Sequence, residues 1–129
     1  PNIADTIALR KGIEYLEAIG KEVTAAYENE LLSYATEVLS QFPDIKLIGT
    51  AKNKVSVCSF VMQGVHPQDI GMVLDSEGIA IRTGHHCTQP LMDRLNIPGT
   101  ARASFAFYNT KEEIDKLGLG IKKAIKMLK

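Results

Sequence analysis

Residues 82–90 read Arg-Thr-Gly-His-His-Cys-Thr-Gln-Pro, a polar, cation-lined turn around a single cysteine. Pro90 suits the first helical position, because its φ is already near the helical value and it has no N–H to leave unpaired. Leu91, Met92 and Leu95 then give that helix an apolar side. Cys87 is therefore expected just ahead of a helix N-terminus, where free N–H groups and the positive end of the helix dipole favour an anion. Arg82, His85 and His86 add positive charge. Both effects favour thiolate over thiol, and the thiolate is the nucleophilic form of sulfur. The plainer alternative is a buried cysteine packing as a small hydrophobe, and the polar neighbours argue against it.

Three chemistries compete for this stretch. A metal site could draw on His85, His86 and Cys87, with His66 as a fourth ligand. Three adjacent residues do not easily converge on one ion, and no Cys-x-x-Cys or His-x-x-x-His pair is present, so no metal is expected. A cysteine hydrolase would use His85 or His86 as base, but sequence neighbours point apart and no orienting partner is evident. The third chemistry makes Cys87 a sulfur acceptor that attacks a substrate sulfur and keeps it as a persulfide, which needs a thiolate on an accessible loop.

The elements that must hold this turn follow from patterning. Ile3, Ile7, Leu9, Ile13, Leu16 and Ile19 mark a first helix ending at Gly20, and Val23, Tyr27, Leu31, Tyr34, Val38 and Leu39 a second one over 22–41, closed by Pro43. Residues 45–48 form a short strand. Residues 54–62 form the clearest one, with Cys58 inside it as core filler and no bridge to Cys87 expected. Pro67 and Asp69 open a helix that Gly78 closes. Residues 79–82 form a short strand that delivers the chain into the cysteine turn, and a brief helix spans 90–95. Pro98-Gly99 turns it into a strand over 101–107, on which Arg102 is an arginine among small and apolar residues. Thr110 and Glu113 form a capping box for a last helix with a stripe of Ile114, Leu117, Ile121, Ala124, Ile125 and Leu128. The fold expected is α+β, a small, mostly antiparallel sheet of about four strands with helices on one side.

The 129 residues are expected to form a single domain, burying roughly two thirds of the unfolded surface. Fifteen basic residues balance fifteen acidic ones, so no overall field recruits nucleic acid or an acidic membrane. Two cysteines and no apolar run of signal or membrane-span length point to the reducing cytoplasm. The first residue is Pro1, and helix follows almost at once, as expected of a chain cut from something longer.

Arg82 to Met92, Ala101-Arg-Ala-Ser104 and Tyr108-Asn-Thr-Lys-Glu-Glu113 together closely resemble the C-terminal part of Suf-type cysteine desulfurases, the aminotransferase class V group that also contains selenocysteine lyases. Pro1-Asn-Ile-Ala4, Tyr15-Leu-Glu-Ala-Ile-Gly20, Gly64-Val-His-Pro67 and Gly78-Ile-Ala-Ile-Arg82 extend the resemblance over essentially the whole chain. It implies that Cys87 takes sulfur from L-cysteine as a persulfide while alanine leaves. Arg102 would grip the substrate carboxylate, Arg82 would lie near the same pocket, and His85 and His86 would shape the loop or shuttle protons. A planar guanidinium suits the carboxylate because it makes two parallel charged hydrogen bonds.

The family's pyridoxal phosphate (PLP), its lysine, its aspartate, its stacking histidine and its phosphate-binding residues belong to an upstream large domain, and none is matched here. The expectation is thus the C-terminal small domain of a two-domain PLP enzyme, inactive and without cofactor when alone. The resemblance also implies a homodimeric parent, a sulfur-acceptor protein and a role in iron–sulfur cluster assembly. A stand-alone persulfide carrier or interaction module and a selenocysteine lyase are the alternatives.

Overall fold

Asn2 starts the first helix by accepting the Asp5 N–H on its side chain. The computed structural model describes residues 2–129; Pro1, where the resemblance begins, lies outside them. In chain order the elements are α1 (Ile3–Ile19), α2 (Lys21–Ser40), β1 (Ile45–Ile48), β2 (Val57–Met62), α3 (Pro67–Ser76), β3 (Arg82–Gly84), α4 (Gln89–Leu95), β4 (Thr100–Ser104) and α5 (Lys111–Leu128). The strands form one antiparallel sheet in the order β1-β2-β4-β3. The architecture is the α+β one expected.

Strand alternation decides which face is covered. Cys58, Phe60 and Met62 of β2 are buried, and Phe60 lies directly across from Ala101 of β4, Cys58 from Ala103. Against this face pack Leu31, Leu32, Ala35 and Leu39 of α2, Ile70 and Leu74 of α3, and Ile114, Leu117 and Ile121 of α5. A fully buried side chain such as Phe60 contributes about 1.5–3 kcal/mol. The capping box on α5 is present in both directions between Thr110 and Glu113. By the period of two, Ser59, Arg102 and Arg82 share the opposite face.

Three strands are shorter or shifted relative to their patterns. Residues 54–56 do not join β2, because the Val57 N–H turns back to the Val55 carbonyl at 2.7 Å. Residues 79–81 stay off the sheet because α3 holds them. The Ile79 N–H satisfies the Leu74 carbonyl at 2.9 Å and Ile79 packs against the core, so pairing with β4 begins only at Arg82. β4 stops at Ser104 because Asn109 closes the next turn, its side-chain oxygen accepting the Ala106 N–H at 2.8 Å. α1 has no buried residue at all; Ile3, Ile7 and Ile13 are exposed.

Candidate active site

β3 and β4 position the two arginines. Arg82 is the direct cross-strand partner of Arg102, and Arg102 is flanked on its other side by Ser59 of β2. The three side chains thus rise in a row from the face that the helices leave open. Arg82 is exposed and Arg102 half-buried. The Arg102 Nε is buried and finds no hydrogen-bond acceptor among the described residues. A buried donor without a partner costs about 1–3 kcal/mol, so this nitrogen is suited to meet an acceptor that arrives with a ligand.

The cysteine turn follows β3 immediately. His86 and Cys87 both adopt left-handed backbone, with φ of 53° and 59°. That conformation crowds Cβ against the following carbonyl and is uncommon for residues with side chains. His85 shapes the turn from within: its Nδ1 accepts the Cys87 N–H at 3.2 Å, and its carbonyl accepts the Thr88 N–H at 2.9 Å and the Thr88 hydroxyl at 2.7 Å. Cys87 is exposed, one residue ahead of the Thr88 N-cap of α4. Cys58, by contrast, is fully buried, and burial pushes its thiol pKa up. Pro90 occupies the second position of α4, one later than its proline chemistry suggests.

His86 leaves the turn and reaches β4. Its Nε2 lies 3.0 Å from the Thr100 hydroxyl and 3.2 Å from the Thr100 carbonyl. Burial, and then the charge of Arg102, hold the imidazole pKa below its ordinary value, while the Thr100 carbonyl opposes them. The ring is therefore neutral near pH 7, and the carbonyl assigns its proton to Nε2. Arg82 and Arg102 thus pair where β3 begins, and the turn that bears Cys87 leaves where it ends, two rungs away, with His86 on Thr100 and His85 beside the Cys87 backbone. Thr100 and Ser59 also belong to this neighbourhood. The sequence signals neither, since what places them is strand register.

Two cavities, of about 310 and 410 Å³, flank this region. One lies between residues 78–81 and 103–105 and the other between β2 and Pro98-Gly99; Cys87 and Arg102 line neither. The candidate site is an open face. It offers no seat for PLP either: residues 82–110 hold no lysine, and their single acid, Asp93, already accepts from Gln89. The orphaned guanidinium nitrogen fits a carboxylate rather than a pyridine ring.

Residues 1–117 match the family model described as aminotransferase class-V. A cysteine desulfurase of Synechococcus elongatus is 50% identical over 122 residues, which are 95% of this chain and 20% of that protein. Among solved structures, the apo cysteine desulfurase of Thermococcus onnurineus superposes with a TM-score of 0.92 at 37% identity, over 98% of this chain and 32% of that one. A cysteine desulfurase of Escherichia coli gives 0.90 at 33% identity, over 98% and 31%. The chain thus spans a third or less of each of these proteins.

Proposed function

The chain belongs to the aminotransferase class-V family, and from that premise we propose that it is the C-terminal, sulfur-accepting domain of a Suf-type cysteine desulfurase. Cys87 is the nucleophile. Its Sγ attacks the sulfur of L-cysteine: the new S–S bond leaves a persulfide on Cys87, the substrate C–S bond breaks, and the carbon takes up a proton to leave as L-alanine. Weakening of that C–S bond is the chemistry that PLP supplies in such enzymes. No residue of this chain is assigned to it, and the cofactor belongs to a large domain in the remainder of the polypeptide. Arg102, aided by Arg82, receives the substrate carboxylate in a charge-assisted fork. That large domain closes the open sheet face into a pocket. The parent is a homodimer that passes its sulfur to an acceptor protein for iron–sulfur cluster assembly.

The observation that supports this reading is the buried, unpartnered Arg102 Nε on the strand to which the exposed Cys87 turn is tied. Incubating the full-length polypeptide with L-cysteine should add one sulfur atom to Cys87, read by peptide mass spectrometry, and release L-alanine. Cys87→Ser should do neither. Unimpaired alanine release by that variant would remove the proposal.

A further inference from the structure

We propose that His86 is the positioning residue of the cysteine turn: by bonding Thr100 it fastens the turn that carries Cys87 to the strand that carries Arg102. The inference rests on the reading of Cys87 as sulfur acceptor, and it separates the two histidines. His85 makes the turn's internal bonds, which fix its shape but leave its place undetermined. Among the side-chain hydrogen bonds of residues 85–88, those of His86 alone leave the turn.

Their target is firm. Thr100 is 2% exposed, and it lies two residues before Arg102, so both occupy the same face of β4. The neighbouring backbone is equally committed: a Cβ on Gly99 would stand 2.8 Å from the Gly84 carbonyl carbon and oxygen. β3's end and the start of β4 are thus in backbone contact beneath the turn, and the imidazole closes the arch above it. Two successive left-handed residues persist only where their surroundings over-determine them. The bond to Thr100 is the long-range restraint that does so. Its consequence is a fixed spacing between the sulfur that attacks and the guanidinium that holds the substrate.

A positioning role predicts a split between kinetic constants. In the full-length polypeptide, His86→Ala should lower kcat for alanine formation about 10- to 100-fold, the order expected when a reacting atom is misplaced by about 1 Å. KM should stay within about twofold, because Arg102 is untouched. His86→Gln, whose amide nitrogen can reach the Nε2 position, should recover most of the loss. Gly99→Ala, which pushes the turn off β4 without altering His86, should reproduce it. Hydrogen exchange gives a readout independent of turnover: the Cys87 and Thr88 amides should exchange faster in His86→Ala and near the parent rate in His86→Gln. Equal exchange in all three proteins, a His86→Gln as impaired as His86→Ala, or KM rising as steeply as kcat falls would overturn the proposal. An inert Cys87→Ser beside an unimpaired His86→Ala would sink this inference alone, whereas an active Cys87→Ser would sink the reading beneath it.

Discussion

Arg82 and Arg102 face each other directly across β3 and β4, two like charges in register on the sheet's open face. Like charges placed directly opposite destabilise a strand pair, and here one of the two also buries a donor that has no acceptor. An anion between them relieves both costs at once.

Arg102 should therefore trade stability for binding. Arg102→Leu removes the orphaned donor and the repulsion, so its melting temperature should equal or exceed that of the parent protein. Loss of charge-assisted bonds worth about 1.5–3 kcal/mol should raise KM for L-cysteine roughly 10- to 100-fold. Arg102→Lys keeps the charge without the planar fork and should fall between the two. Thermal denaturation and steady-state kinetics on the same preparations read both effects. A clear fall in melting temperature for Arg102→Leu would mean that the guanidinium holds the fold together.

Cys58 and Cys87 should separate chemically. Near pH 7.5 iodoacetamide should label Cys87 and spare Cys58, which has 0% exposure. Burial raises the folded-state pKa of Cys58 above its unfolded value. The stability this implies is present in full below the ordinary thiol value of about 8.5, and is lost as pH rises through the raised value. Urea denaturation from pH 7 to 10 should show a decline that Cys58→Ala lacks. Equal labelling of the two cysteines would contradict the placement of Cys87 in an accessible turn.

How much of this could be read from the sequence depends on how local the cause is. α5 announces itself through Thr110, Glu113 and an unbroken apolar stripe, and α3 through Pro67, because capping and periodicity act within a few residues. Arg102 stands out as a cation on a strand of small residues. What it faces does not, since pairing with Arg82 depends on a register set by the whole sheet. The end of β4 is decided by the Asn109 side chain three residues beyond the Ala106 N–H, and the start of β3 by the carbonyl of Leu74. The left-handed backbone of His86 and Cys87 has no glycine to mark it, because a contact to Thr100, fourteen residues away, maintains it. In α1 the apolar spacing gave the helix but not its burial, for no residue of it meets the core.

His86 should leave a mark on acid stability. Its folded-state pKa lies below the unfolded one. The neutral ring's contribution is thus present above the ordinary value of about 6.5 and is lost as pH falls through the lowered one. The stability difference between the parent and His86→Gln should shift against the parent as pH falls from about 6.5 towards 5. The lowered carboxyls of Glu14, Glu112 and Glu113 titrate below this window and are common to both proteins. A pH-independent difference, measured by chemical denaturation in steps of half a unit, would mean that the imidazole carries the same charge folded and unfolded.

Two glycines in helices should respond to alanine with opposite signs. At Gly12, on exposed α1, an added Cβ meets nothing within 4 Å. The gain in helix propensity, about 0.5–1 kcal/mol, should then appear undiminished. At Gly120 the same Cβ would stand 2.5 Å from Leu74 Cδ2 and 2.7 Å from Ile79 Cδ1, where α5 lies against α3. Leu74 is fully buried and has nowhere to retreat without parting the helices. Overpacking of about 1–3 kcal/mol therefore exceeds the propensity gain, and Gly120→Ala should melt several degrees lower. The sites share no neighbour, so the double variant should equal the sum of the singles within about 0.5 kcal/mol. A stabilised Gly120→Ala would show that α5 can move away from α3 at little cost. The sheet's covered face would then be less rigid than the turn and strands that it supports require.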